Sequence, residues 1–225
     1  MSTILISGAN RGIGLELARQ FAADGWTVLG TARDPCTASE LASISGAEVF
    51  TLDVTQKSSI EALYVDLDGV PIDALIANAG IAVNLEAKPA EVTQEDFLKV
   101  VETNTFAPLA LAAALKPNLL AGKLRIATAM SSLMSSIGAN DWGTQYTYRA
   151  SKTGLNAVWS ALAREWKDDG IICTLLRPGL VATRMTNFNG IAVETSVAGM
   201  KKVVSGLTIA DSGRIIGYDG TDVPW

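Results

Sequence analysis

Ile4-Leu5-Ile6-Ser7-Gly8-Ala9-Asn10-Arg11-Gly12-Ile13-Gly14 is the stretch whose reading decides the fold. A short run of β-forming residues breaks into a glycine turn, and Ile13, Leu17 and Phe21 then recur at helical spacing. The order is strand, glycine turn, helix. Glycines at these positions let the backbone turn tightly and let a phosphate approach the amides of the helix N-terminus, where the helix dipole favours negative charge. The spacing is G-x-x-x-G-x-G, which differs from the common dinucleotide fingerprint G-x-G-x-x-G. By itself the turn also fits a strand–helix connection that holds no ligand.

Outward from this unit the pattern repeats. Short β runs at 27–31, 49–52, 72–77, 124–130, 171–176 and 214–218 alternate with helical stretches. These are an amphipathic stretch at 58–67, a long helix opened by Thr93 and Asp96 as an N-cap pattern, a helix from Tyr148 onward, and one near 196–204. Such alternation implies an α/β fold: one doubly wound Rossmann-type domain with a seven-stranded parallel sheet and helices on both faces. At 225 residues and 48% hydrophobic, the chain suits a single domain over 1–225. The polar segment 184–199 reads as a substrate lid.

Composition removes several function classes. Eighteen basic against 23 acidic residues leave a net charge of −5 with no basic run, which argues against nucleic acid or an anionic membrane surface as partner. The longest strongly apolar stretch, 106–115, contains Pro108 and falls far short of the ~20 residues that cross a bilayer. Residues 1–7 lack a basic segment and read as a first strand, not a signal peptide. Cys36 and Cys173 are too few for a disulfide framework, so a reducing, cytoplasmic setting is expected. With no histidine in the chain, a His base, a His triad and a His-ligated metal are excluded, and no metal is expected.

Tyr148-Arg149-Ala150-Ser151-Lys152 places a phenol and an ammonium one helical turn apart. A nearby positive charge favours the phenolate. Lowering a phenol from about 10 to about 7 takes roughly 4 kcal/mol, within reach of a close ammonium in a desolvated site helped by a cofactor's charge. Other candidates surround the pair. Asp53 and Val54 end the third β run, where ligands of open α/β sheets collect, though Asp53 could equally cap the next helix. Asn78-Ala79-Gly80 follow the fourth run, small enough for a cofactor to lie against the chain, and the Asn78 amide could tie neighbouring strands. Asn104 sits among apolar helix positions and needs partners, which a backbone bend at Pro108 could provide. Ser131, Ser132, Ser135 and Ser136 follow the fifth run. Thr31 and Arg33 occupy the place where an acid selects NAD and a base selects NADP. They lean towards NADP, unless Arg33 is simply a solvated loop residue. Leu155, Val158, Trp159, Leu162 and Trp166 form a stripe broader than one core face needs. With the tail at 223–225, that stripe suggests a homodimer or homotetramer.

Taken in order, these motifs resemble the short-chain dehydrogenase/reductase family over nearly the whole chain. Residues 7–14 resemble its T-G-x-x-x-G-x-G, with Ser7 for Thr, and residues 77–80 resemble its N-N-A-G, with Ala77 first. Tyr148 and Lys152 match Y-x-x-x-K, and residues 178–183 match the P-G-x-V-x-T stretch beside the nicotinamide. Residues 146–152 and the Pro-Trp ending look most like the C-factor and sniffer carbonyl-reductase branch. The resemblance implies cofactor contacts from Gly8, Asn10, Arg11, Gly12, Ile13 and Gly14, from Arg33, Asp53 and Val54, and from Asn78, Ala79 and Gly80. It adds Tyr148 and Lys152, and then Pro178, Gly179, Val181 and Thr183.

It further implies an NADP(H)-dependent oxidoreductase that moves hydride between nicotinamide and a ketone or aldehyde carbonyl, or the matching alcohol. Tyr148 is then general acid and base, Lys152 tunes the phenol and holds the ribose, Ser132 donates to the substrate oxygen, and Asn104 holds a relay water. Ser132 stands sixteen positions before Tyr148, so a loop must bulge out between them, and Ser135 or Ser136 are the substitutes. Tyr146 rivals Tyr148 but has Ala, not Lys, four residues on. The alternative is a nucleotide-binding signalling or regulatory protein of the C-factor type with incidental catalysis. A pure binder has no need of the set Asn104, Ser132, Tyr148 and Lys152.

Overall fold

Each β run becomes a strand in the computed structural model, which describes residues 2–225. The strands are β1 (Thr3–Ile6), β2 (Thr27–Ala32), β3 (Ala47–Thr51), β4 (Ala74–Ala77), β5 (Ile126–Met130), β6 (Ile172–Arg177) and β7 (Ile215–Gly217). They pair in parallel in the order β3-β2-β1-β4-β5-β6-β7. The order reverses between β1 and β4, which opens a crevice at the carboxyl ends of the strands. Alternation along the strands sends side chains to two separate cores. Leu5, Leu75 and Leu175 pack with α3 (Lys57–Asp66), α5 (Ala107–Ala114), α6 (Lys116–Ala121) and α7 (Tyr146–Glu165). Ile4, Ile6 and Ile76 pack with α1 (Gly12–Ala23), α2 (Ser39–Ala42) and α8 (Val193–Gly206).

The long helix after Thr93 changes its hydrogen-bond pattern midway. Thr93 caps α4 (Gln94–Val101) by accepting from the Asp96 amide at 3.1 Å, as its sequence pattern implies. A π-helical turn, Glu102–Phe106, then leads into α5. Pro108 follows directly, within the same helical run, and its missing N–H and ring leave the Asn104 carbonyl of the π turn without its usual partner.

Two expectations need correcting. The stripe on α7 is consumed within the chain: Leu155, Trp159, Leu162 and Trp166 are all buried, and the Trp159 indole donates to the Ala127 carbonyl at 3.2 Å. Val158 alone of the stripe is half-buried. The tail is partly exposed as expected, at Pro224 and Trp225, while the amide of Val223 donates to Ile215 and that of Gly217 to Thr221, covering the outer edge of β7. Finally, the segment 184–199 is irregular only to residue 192. From Val193 it belongs to α8, with Ser196 and Val197 fully buried.

Asp73, at the entry to β4, is the polar tie of this sheet. Buried, it accepts from the amide of Thr3 at 2.9 Å, of Lys123 at 2.8 Å and of Leu124 at 3.3 Å, joining the starts of β1, β4 and β5. We predict that Asp73→Ala lowers stability to urea by about 3 kcal/mol or more, because several buried donors lose their acceptor. A loss under about 1 kcal/mol would mean that water replaces the carboxylate.

Candidate active site

The glycine turn is held in shape by its neighbours. Gly8 and Gly12 have φ of +66° and +54°, a region that glycine enters without steric cost. Thr31, fully buried, accepts from the Gly8 amide on its hydroxyl at 3.3 Å and from the Ala9 amide on its carbonyl at 2.8 Å. Its side chain therefore serves the turn and is not offered to a ribose. Asn78 does tie strands together, donating to the carbonyls of Ser7 at 3.0 Å and Gly8 at 3.2 Å, while the Ser7 hydroxyl accepts from the amides of Asn78 and Ala79 at 3.0 Å each. A Cβ on Gly14 would collide with the Gly8 carbonyl and lie 2.6 Å from the Asn78 amide nitrogen.

The crevice beside this turn suits a dinucleotide. No side chain caps α1 and no acid stands in its first turn, so the first amides, from Gly12 and Ile13 onward, are free for an anion. The opposite wall is the segment 178–183. A Cβ on Gly12 would lie 3.7 Å from the Thr183 methyl, Gly179 takes φ +85°, and Pro178 and Val181 are buried beneath. Arg11 and Arg33 are exposed and form no ion pair among the described residues. Asn10 reaches Thr37 at 3.4 Å in the loop after β2, a residue that sequence reasoning missed. Asp53 does not cap the helix that follows: it accepts from the amide and hydroxyl of Thr55, at 3.0 and 2.7 Å, while Gln56 occupies the N-cap of α3. Val54 is half-buried beside it.

Across the crevice, α7 supplies Tyr148 and Lys152, and the turn after β5 supplies Ser132. The Lys152 ammonium lies 5.8 Å from the centre of the Tyr148 ring and donates to the Met130 carbonyl at 2.7 Å. Ser132 accepts from the Met134 amide at 3.1 Å and is the residue whose hydrogen bonding acts on the phenol. Ser135 and Ser136 are buried and engaged elsewhere, with the Ser132 carbonyl and the Trp225 carbonyl respectively. Tyr146 is exposed at the start of α7. The sixteen-residue spacing is absorbed by a surface loop, in which Trp142 stacks 4.7 Å from the Arg149 guanidinium and Arg149 donates to the carbonyls of Gly143 and Thr144.

Asn104, in the π turn, is fully buried behind the lysine. Its carboxamide accepts from the Ile81 amide and donates to the Ile81 carbonyl, both at 2.8 Å, and donates to the Ser151 hydroxyl at 3.0 Å. It therefore bonds the segment after β4 and not a bend of its own helix. Pro108, four residues on, has no N–H to offer the Asn104 carbonyl. Gly80 leaves the space between them: a Cβ there would lie 3.2 Å from the Asn104 oxygen and 3.7 Å from the Lys152 nitrogen.

This arrangement is matched in known proteins. The short chain dehydrogenase family profile matches residues 2–193. The chain belongs to that family. C-signal of Myxococcus xanthus is 36% identical over 156 residues, covering 69% of this chain and 93% of that protein. Among solved structures, NADPH-bound carbonyl reductase from chicken fatty liver superposes with a TM-score of 0.92 at 32% identity, over 100% of this chain and 99% of that one. Carbonyl reductase Sniffer of D. melanogaster gives 0.93 at 30%, over 100% of both chains.

The electrostatics of this site are set by burial. Burial raises the Tyr148 pKa above its ordinary value, opposed only by the Ser132 hydrogen bond. The lysine does not lower it here, because its ammonium is turned to Met130. Burial also lowers Lys152 to about 8. Below pH about 8 the lysine is charged in both folded and unfolded chains and the fold bears the burial cost in full. Between about 8 and its ordinary 10.5 the unfolded chain holds the extra proton, so stability rises with pH across that window. Lys152→Met is therefore predicted to be more stable than the parent at pH 7 by about 1–3 kcal/mol, with the gap closing above pH 8 in denaturant titrations. No gain at pH 7 would show that the bond to Met130 offsets the burial.

Proposed function

We propose that the chain is an NADP(H)-dependent oxidoreductase that interconverts a ketone or aldehyde and the matching alcohol. The observation that carries this reading is the convergence of Tyr148, Ser132 and Lys152 on one face of a crevice whose other end holds Arg11 and Arg33, neither in an ion pair among the described residues. The NADPH bound to the chicken carbonyl reductase supports the same cofactor. The uncapped start of α1 would take the pyrophosphate, Arg33 with Arg11 the 2′-phosphate, and the segment 178–183 the nicotinamide end. Bound NADP(H) would supply the hydride. Tyr148 gives the carbonyl oxygen its proton in reduction and takes it back in oxidation, and Ser132 donates to that oxygen as charge grows on it. Lys152 turns from Met130 to hold the ribose and favour the phenolate, and Asn104 holds the water that returns protons. Exposed Leu180, Met185 and Phe188 point to an apolar substrate, with the segment 184–192 as its cover.

A second reading, nucleotide binding for signalling, is favoured by the likeness to C-signal. NADPH consumption with a panel of ketones and aldehydes separates the two, since tight cofactor binding without turnover of any of them supports the binder. A cytoplasmic setting fits the two free cysteines. Self-association, as a homodimer or homotetramer, fits exposed Leu98 and Phe106 on the α4–α5 side. Sedimentation at the mass of one chain at micromolar concentration would contradict it.

Tyr148→Phe should cost about 10²–10⁴-fold in kcat and leave cofactor affinity within a few fold. A loss below about tenfold would transfer the proton role elsewhere. Arg33→Ala should lower kcat/KM for NADPH by about tenfold or more, the worth of a charge-assisted hydrogen bond to phosphate, and barely change NADH. Equal losses with both cofactors would make Arg33 a plain surface residue.

A further inference from the structure

We propose that Asn156 is a positioning residue that, through Ser131, sets where Ser132 stands against Tyr148. Its effect on catalysis rests on the function proposed above. Asn156 is fully buried on α7, one turn beyond Lys152 and two beyond Tyr148. Its carboxamide oxygen accepts from the Ser131 hydroxyl at 2.6 Å. Ser131 stands between the two groups that matter: Met130, whose carbonyl takes the Lys152 ammonium, and Ser132, which acts on the phenol. The Ser131 oxygen lies 3.1 Å from that of Ser135, whose hydroxyl reaches the Ser132 carbonyl at 2.5 Å, and Thr153 donates to the Ser135 carbonyl at 2.9 Å. Lys152, Thr153 and Asn156 thus all grip the turn at 130–135, and Asn156 alone grips it through the side chain adjacent to Ser132.

Packing does not account for an asparagine at this place. Its amide nitrogen is buried without a partner, a penalty that an apolar side chain of similar size would avoid. The oxygen is the part in use. Without it, the Ser131 hydroxyl would keep only the longer contact to Ser135, and the turn carrying Ser132 would lose its lateral anchor. The phenol would then lose the hydrogen bonding that opposes its burial. Lys152 is the charged group beside Tyr148; Ser132 and Asn104, which face the pair from the turn after β5 and from the π turn, carry no charge.

The test uses the full chain with Asn156→Leu, Ser131→Ala and the double variant. Each is compared with its own Tyr148→Phe counterpart by ultraviolet difference titration, which isolates the Tyr148 phenol and needs no turnover. We expect that pKa to rise by about half a unit or more in both single variants. We also expect kcat for carbonyl reduction to fall roughly tenfold, as when a donor to the reacting oxygen is displaced, with cofactor affinity within about twofold. The double variant should be no worse than the worse single, because both remove one link. An unmoved phenol in both singles overturns the proposal, as does a kcat loss matched by an equal loss of cofactor affinity. Should Asn156→Leu fail to fold, Ser131→Ala, which trims only a hydroxyl, carries the same expectation alone. A shifted phenol in a protein that turns over no carbonyl would uphold the positioning role and remove the proposed function beneath it.

Discussion

The carboxamide of Asn78 is the tie on which the rest of the site depends. A doubly wound sheet opens where its strand order reverses, and here that gap lies between β1 and β4. The ladder ends there, so the carbonyls of Ser7 and Gly8 need donors from elsewhere. Asn78 supplies them, and the Ser7 hydroxyl answers by accepting from the backbone of Asn78 and Ala79. Because the Gly8 carbonyl and the Asn78 amide that bonds it fill the space beneath α1, residue 14 has no room for a side chain. The glycine is dictated by a side chain sixty-four residues away as much as by any ligand.

The second half of the site is built on α7, and its precision comes from polar contacts inside an otherwise apolar seam. Trp159 and Leu155 fix the helix against the sheet by burial, which is strong but non-directional. Direction comes from Lys152, Thr153 and Asn156, each bonded to the turn after β5. On the other flank, Ser151 accepts from Asn104 and its carbonyl takes the Thr105 hydroxyl at 2.7 Å. The π turn makes this last link. By adding a residue to one helical turn it carries Thr103, Asn104 and Thr105 to buried positions facing α7.

Much of this was legible in the sequence because it obeys local rules. Short apolar, β-rich runs mark all seven strands, and glycine and Y-x-x-x-K spacing locate both walls of the crevice. What escaped depended on long-range partners. The apolar stripe of α7 reads as excessive only because helical periodicity does not reveal that Trp166 and Leu162 have their own sheet to cover. The tail's end is as exposed as it reads, but the pairing of Val223 with the β7 edge is invisible until the sheet is assembled. Pro108 signals an irregular helix, but not that the irregularity is a π turn placed over the residues just before it. Asn156 could have been suspected, since it stands four residues after Lys152 on a face of apolar positions, but nothing in the sequence pairs it with Ser131.

The electrostatic state of the pair has a consequence for the direction in which the site is prepared. Burial drives both groups toward neutrality: the phenol keeps its proton to higher pH and the lysine surrenders its own at lower pH. Carbonyl reduction requires a protonated phenol, so on the proposed mechanism this environment already holds Tyr148 in the form that reduction needs. Alcohol oxidation requires the phenolate, which a buried site resists until positive charge is brought close. That charge must come from Lys152 leaving Met130, and from an oxidised nicotinamide. The turn of Lys152 from Met130 to the ribose would accompany cofactor binding in either direction, and only oxidation also depends on the charge it brings to the phenol. The hydrogen bond from Lys152 to the Met130 carbonyl, at 2.7 Å, is the contact that has to be given up, and its strength in a low-dielectric setting sets how steeply oxidation depends on the cofactor being in place.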